Sequence, residues 1–356
     1  MKKLSILTLA FVWLGFAGLA SLGCDKASKD GDQKKAADEK NQPVKGSETI
    51  KPPADTTVDA KPGEPAKAEP AQATPVPIPE AKIVVENAGG DDKVALRYEY
   101  AAGGVTTAVM EMKLGMQMSM GAMQQPMVNL PVMKMTMKLT NREVKDSGNL
   151  VYDFILEAMD VVPDADTPPP MVDQMKTALK DIKGMNGNAE VTTRGITISA
   201  DMRMPANTNP QLASMMDSMK QQMSQMSVPL PEEPVGQGAS WTVTTQLTTG
   251  GMLVTNQYKY TLAKIEGKNI EMKVSLLQTA EPQELKNPQL PPNVKLKLLE
   301  FKSSGSGTVK MDLAQMIPTS EITSETHMKM DVESGAQTQS MEQKMNLSLK
   351  LYPERK

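Results

Sequence analysis

The stretch Met110–Met127, which reads MEMKLGMQMSMGAMQQPM, contains the pattern that decides the fold. Seven of these eighteen residues are methionine. As far as Met120, methionines at even positions alternate with polar residues such as Glu111 and Gln117. Alternation with a period of two is typical of a β-strand that buries one face. The sequence therefore predicts a long strand whose buried face carries methionine.

The same alternation continues after the connection 121–131 with its parity reversed, because Met133 and its apolar successors now occupy odd positions. If the connection closes a simple hairpin with Met120 opposite Met133, two sets of methionines face each other across neighbouring strands. Six thioethers would then line one face and form the candidate ligand-lining set. Its members are Met116, Met118, Met120, Met133, Met135 and Met137.

The methionines allow three interpretations. The first is plain core filling, because methionine recurs throughout the chain and adapts its shape to irregular gaps. The second is a deformable wall for a lipid-like ligand. The third is a copper site, because thioethers are soft ligands that suit monovalent copper, and the segment Gly121–Met127 would be the place to find it. We expect no bound metal or other cofactor in the favoured interpretation.

Two helices interrupt the strands, and a third is suggested near Asn293–Phe301. The first helix is predicted by apolar residues at helical spacing from Val172 to Ile182, and the second begins at Asn209-Pro210. The stripe of the second helix consists of Leu212, Met216, Met219, Met223 and Met226.

Turns and bulges complete the outline of secondary structure. Turns are predicted at Asn186–Asn188 and Ser303–Gly307, and Asp146–Asn149 is predicted to join two strands. One strand with a bulge at Gly195 is predicted over Val191–Met204.

The expected fold class is a β-rich α+β domain. About ten strands that each have one apolar face need a shared interior, which a long curved antiparallel sheet would supply, like half of a barrel, with two or three helices covering it. A closed barrel or a two-sheet sandwich is the alternative. The order of elements in the two halves, about 82–230 and 231–356, suggests an internal duplication.

Composition limits the chemistry. The chain has 356 residues, one histidine, one cysteine and a net charge of −3. Zinc sites built on Cys/His clusters are excluded, and the charge gives no basic face for nucleic acid. His327 falls on the polar side of its strand, where a solvated histidine is expected. We therefore expect no enzymatic activity.

The amino terminus predicts export and a lipid anchor. Lys2 and Lys3 precede the apolar run Leu4–Leu19, which is typical of a signal peptide spanning residues 1–23. Ser21-Leu22-Gly23-Cys24 resembles the lipobox of bacterial lipoproteins, in which the cysteine receives acyl chains such as palmitate and becomes the first mature residue. The resemblance implies a protein of the cell envelope that the lipid holds to a membrane, with its body in the periplasm or at the cell surface. Asp25 resembles the inner-membrane retention signal of enteric bacteria, but that rule differs between bacterial groups, so the choice of inner or outer membrane stays open.

Residues 24–81 follow as the lipidated cysteine and a tether rich in Pro, Ala, Lys and Glu. A segment of this composition cannot bury enough apolar surface to offset its ordering entropy, so disorder is expected. The single β-rich domain occupies 82–356. The passage Val228–Trp241 resembles a segment in a family of uncharacterised predicted bacterial lipoproteins. The expected architecture is similar to that of lipoprotein-carrier and lipid-binding folds of bacterial envelopes.

These features together predict a membrane-anchored envelope protein that binds an apolar ligand, or the apolar segment of a protein partner, in a methionine-rich interior. A structural or partner-binding protein with a filled core is the alternative, and copper binding is a further one.

Overall fold

The computed structural model describes residues 80–121, 123–163, 167, 169–203, 226–249, 251–285, 291, 293–335 and 337–354. These residues belong to one compact unit of the chain. The signal peptide, Cys24 and nearly all of the tether lie outside the described residues. So does the predicted second helix, except for Met226.

Fifteen strands in the described part of the chain form one antiparallel sheet. Their bounds are β1 Lys82–Asn87, β2 Val105–Met120, β3 Met123–Gln124, β4 Val128–Asn129, β5 Val132–Val144, β6 Leu150–Val162, β7 Asn186–Val191, β8 Thr197–Arg203, β9 Ser240–Thr249, β10 Met252–Glu266, β11 Asn269–Ala280, β12 Gln283–Leu285, β13 Val294–Asp312, β14 Thr319–Ser334 and β15 Gln337–Pro353.

The strand order across the sheet is β1-β9-β10-β11-β13-β14-β15-β2-β5-β6-β7-β8. Strands β3 and β4 pair with β2, and β12 pairs with β13. Strands β1 and β8 end the order, so the sheet is not closed among the described residues. The predicted β-rich antiparallel architecture is confirmed, and the closed barrel is not observed in this part of the chain.

The amino-terminal and carboxy-terminal strands join the two halves of the sequence. Strand β15 pairs with β2 in unbroken register from Pro353 opposite Ala108 to Met341 opposite Met120. Strand β1 instead pairs with β9, far along the chain. The division into similar halves near residue 230 stays a prediction, but the sheet order places β1 beside strands of the second half.

The described residues contain one α-helix, α1, at Pro169–Leu179, followed by a 3₁₀ turn at Lys180–Ile182. The apolar residues that predicted this helix are buried, so this prediction is confirmed; they are Val172, Met175, Leu179 and Ile182. The third predicted helix is wrong, because its residues open β13. Leu296 and Leu298 are buried and alternate with Lys295 and Lys297, which is a strand pattern.

The predicted turn at Ser303–Gly307 is also wrong, since these residues lie in the middle of β13. Glycine is needed here by close strand packing. A β-carbon at Gly305 or Gly307 would collide with the β14 backbone, at the carbonyls of Thr323 and Glu321. Glycine in a strand often marks such a close approach of another backbone.

The single bulged strand predicted over Val191–Met204 is wrong, because its described residues are the end of β7, a turn and β8. Strands β7 and β8 form a hairpin whose turn contains Gly195, with a φ of +74°. The turn predicted at Asn186–Asn188 is wrong, because these residues form the start of β7. The turn at Asp146–Asn149 is confirmed between β5 and β6.

Three apolar clusters lie on the sheet. The first joins α1 to β5, β6, β7 and β8 and contains Met133, Met137 and Leu156. The second contains residues of β9, β10, β11 and β13 and surrounds Trp241 of β9, which is fully buried. The third contains Met328, Met330 and Met341 from β14 and β15.

Candidate functional site

Strand register shows which side chains share a face of the sheet. Residues directly opposite each other in an antiparallel pair point to the same side, and successive residues alternate between sides. The face that carries Met116, Met118 and Met120 is called the methionine face here. Because β2 and β15 pair without a register shift, this face continues from β2 across β15 to β14.

All six predicted ligand-lining methionines lie on the methionine face, but the predicted hairpin register is wrong. Met133 lies opposite Met112, not Met120, and Met135 lies opposite Met110. The cause is the connection after Met120, which first folds back on β2 as β3 and β4 before β5 begins. The six residues therefore form two separate sets, and Met133 and Met137 are buried in the first cluster, which also contains residues of α1.

The structure brings Met116, Met118 and Met120 together with methionines from other strands. A row of four runs in direct register across β14, β15, β2 and β3, from Met330 through Met341 and Met120 to Met123. Met345 lies directly opposite Met116. The methionine grid is defined as Met116, Met118, Met120, Met123, Met328, Met330, Met341 and Met345.

Sequence reasoning missed the grid. The alternation of Met341, Gln343 and Met345 shows that these residues share a face, but it does not identify β2 as the neighbouring strand. Gln343 is buried among the methionines, and its Nε2 donates a hydrogen bond of 2.8 Å to the sulfur of Met116.

A polar row crosses the methionine face between the second and third clusters. Thr245, Asn256, Gln278, Ser303 and Thr326 lie opposite one another on consecutive strands. The amide of Gln278 donates to Asn256 over 2.8 Å, and the hydroxyl of Thr326 donates to Ser303 over the same distance. The buried Thr245 hydroxyl has no hydrogen-bond partner among the described residues. These polar groups divide the interior into separate apolar regions.

A half-buried apolar strip lies between the first cluster and the polar row. Ile322, Leu349 and Met112 are in direct register across β14, β15 and β2, and none of the three is fully buried. Leu347 and Met110 lie on the same face beside them and are also half-buried. These five residues define the apolar strip. Covering an apolar surface of this kind with a further apolar group removes it from water and lowers the free energy.

The opposite face of the sheet is polar. A cavity of about 580 Å³ lies over β13, β14, β15 and β2, lined mainly by hydroxyl, amide and charged groups that include Lys113, Ser306, Glu325 and Asn346. A second cavity, of about 340 Å³, has Arg142 and Asp153 in its wall. Neither cavity has the apolar lining that an acyl chain requires.

His327 lies on this polar face, as predicted, but it is paired with carboxylates. Its Nε2 is 2.7 Å from Oε1 of Glu342, and its Nδ1 is 3.7 Å from Oε1 of Glu300. The hydrogen bond from His327 holds the pKa of Glu342 below its ordinary value. Among the described residues, no group of three or more His, Cys, Asp and Glu side chains is arranged to hold a metal.

Several tyrosines pack in the second apolar cluster or at its margin. The Tyr98 hydroxyl donates to the carbonyl of Val228 and accepts a hydrogen bond from its amide, and its ring stacks on Tyr100 with centroids 5.3 Å apart. Burial raises the pKa of Tyr258 to about 12 and also raises the pKa values of Tyr98 and Tyr260. These hydroxyls therefore stay protonated at neutral pH, and the Tyr98 hydroxyl joins its segment to Val228.

Comparison with known proteins gives a partial match to one family model and no activity. The model of a family of unknown function, DUF6263, matches residues 178–318. This range is less than half of the chain and includes Val228–Trp241, so it is consistent with the resemblance to an uncharacterised family. No curated protein matches the sequence.

The similar solved structures are outer membrane proteins with very low similarity scores. A loop-deletion mutant of OmpT, an outer membrane protein of Vibrio cholerae, is similar at 9% identity and a TM-score of 0.19, over 71% of this chain and 100% of that chain. Pseudomonas aeruginosa OpdQ is similar at 7% identity and a TM-score of 0.20, over 70% of this chain and 98% of that chain. Scores this low carry no argument about fold or function. Among the described residues, the structure has no helix with the length and apolar character needed to span a membrane.

Proposed function

We propose that this protein is an envelope lipoprotein, anchored through Cys24, whose body binds an apolar ligand along the apolar strip. The ligand we propose is an acyl chain. In this proposal the sheet curves around the strip like half of a barrel, and α1 covers one end of the methionine face. The protein recognises the bound acyl chain by its shape, and no covalent bond forms.

The observation that carries the proposal is the incomplete burial of the strip. Met110 and Met112 pack at the margin of the first cluster, and Ile322 packs at the margin of the second. The strip therefore connects two cores without being covered by either. Met110 and Met112 can change rotamer to follow a flexible ligand, because methionine has an unbranched side chain with three rotatable bonds.

A carboxylate placed in the strip tests ligand binding. Replacing Leu349 by glutamate should lower the affinity of the full chain for dansyl-labelled undecanoic acid at least tenfold, because a bound acyl chain would force the new carboxylate out of water. Fluorescence titration measures the affinity. Native mass spectrometry of wild-type protein purified without detergent should also show a co-purified acyl lipid.

The control for this variant is Asn346→Glu, which adds the same charge on the same strand but on the polar face. This variant should bind the probe as the wild type does, and circular dichroism should show that both variants are folded. Wild-type protein that binds no probe, or two variants that bind it equally, would contradict the ligand site. That result would favour the second candidate, an envelope protein that acts through partners.

This second candidate is favoured by one specific observation. The buried methionines of the third cluster and the buried members of the polar row occupy the methionine face beyond the strip, and neither cavity described above provides an apolar space there among the described residues. A filled interior needs no ligand for stability, so the titration separates the two candidates.

The anchor requires a separate test. Replacing Cys24 by serine should abolish labelling of the protein with an alkyne analogue of palmitate and move the protein from the membrane fraction to the soluble fraction. The reason is that stable attachment to a bilayer depends on the acyl chains. Labelling is read after click coupling to a fluorophore. Equal labelling of wild type and variant would show that Cys24 is not the acylated residue.

A further inference from the structure

The row Met330–Met341–Met120–Met123 leads from the core to solvent. Met330 and Met341 are 1% and 3% exposed, Met120 is half-buried, and Met123 is 65% exposed. Met118, two residues before Met120 on the same face, is also half-buried. Three methionine side chains on one face therefore lie at a place that water and a dissolved ion can reach.

Register brings these sulfurs within reach of one another. Met120 and Met123 are directly opposed, so their β-carbons lie about 5 Å apart, and Met118 is about 7 Å further along the same strand. The three torsions of each methionine allow the sulfurs to converge from these positions. Gln343 donates its hydrogen bond to Met116 and not to these three residues.

The chemistry of the grid suits one class of cation. On this face the neighbours of Met118, Met120 and Met123 are thioethers and the amide of Gln343, whereas Glu342 and Lys344 point to the opposite face. Hard divalent cations prefer carboxylate and carbonyl oxygens, whereas neutral thioethers select monovalent copper. Among the described residues, register places no carboxylate beside these three methionines on the methionine face, which favours a soft monovalent ion.

We propose that Met118, Met120 and Met123 form a Cu(I) site at the solvent end of the methionine grid. The site is separate from the apolar strip, so this inference goes beyond the proposed function and does not depend on it. Copper is bound as Cu(I) and leaves as Cu(I), with no change of oxidation state.

Anaerobic titration with Cu(I) in competition with bicinchoninate tests the site. The full chain should carry Cys24→Ser, so that the thiol of the lone cysteine does not contribute. We expect this protein to take up one Cu(I) with a first shell of sulfur alone in X-ray absorption. Changing Met118, Met120 and Met123 together to leucine should weaken binding at least 100-fold.

The matched control changes Met135, Met159 and Met171 together to leucine. These three methionines are half-buried at the margin of the first cluster and lie outside the apolar strip, so the control removes as many sulfurs with the same change of shape. It should keep full Cu(I) affinity, and circular dichroism should show that both triple variants are folded. Protein that takes no Cu(I) from bicinchoninate, or equal affinity in the two triple variants, would overturn the site.

Discussion

Replacing Trp241 by alanine is expected to lower the free energy of unfolding by about 3–5 kcal/mol. Trp241 is fully buried, and its ring stacks on Tyr260 with centroids 5.7 Å apart. Its indole nitrogen donates a 3.0 Å hydrogen bond to the carbonyl of Pro229. Alanine would leave a cavity at the centre of the second cluster and an unpaired carbonyl at its edge. Urea unfolding followed by circular dichroism measures the change.

Two further variants separate the parts of this effect. Trp241→Phe keeps an aromatic ring but removes the N–H donor, so it should cost less than the alanine variant. Leu253→Ala, on the neighbouring strand, removes a side chain that is 50% exposed and should change stability by about 0.5 kcal/mol or less. A Trp241→Ala variant as stable as Leu253→Ala would show that Trp241 does not organise this core.

Replacing Gly195 by alanine is expected to destabilise the protein by several kcal/mol more than the same change at Gly103. Both glycines have positive φ, +74° and +77°, so alanine brings a similar backbone cost at each. A β-carbon at Gly195 would meet the carbonyl of Val228 and the ring of Tyr98, whereas nothing lies within 4 Å of one at Gly103. The difference between the variants therefore measures the crowding at Gly195.

The comparison needs two measurements. Urea unfolding gives the stability of each variant, and near-ultraviolet circular dichroism reports the packing of the Tyr98 ring against Tyr100. Gly195→Ala should change the aromatic signal and Gly103→Ala should not. Equal losses of stability at the two positions would mean that the contact between the β7–β8 turn and Val228 is unimportant.

The alternation from Met110 to Met120 was sufficient to predict a strand and its buried face. The spacing from Val172 to Ile182 was likewise sufficient for α1. The spacing of apolar residues alone gave a wrong prediction at Asn293–Phe301. Leu298 and Leu299 are adjacent there, so the pattern can be taken for a helix. The register of β13 against β14 shifts between Leu298 and Glu300, and this irregularity accounts for the adjacent leucines.

The candidate sites were predicted only in part. The sequence identified the methionines of β2, but it assigned them Met133, Met135 and Met137 as partners. Their partners on β15 are Met341 and Met345, which lie more than 200 residues away along the chain. The polar row was not predicted, because its members occur singly on five strands and none has a distinctive neighbourhood in sequence.

The sequence by itself determined that strands dominate the body and which side of β2 and β5 is apolar, because side-chain direction follows from backbone geometry within one strand. It also suggested export and an anchor at Cys24, which stay predictions. The tertiary structure alone decided which strands are neighbours and in what register they pair. Those choices depend on packing energy summed over segments that are distant in sequence. The resulting strand order and register determine the positions of the methionine grid, the polar row and the apolar strip.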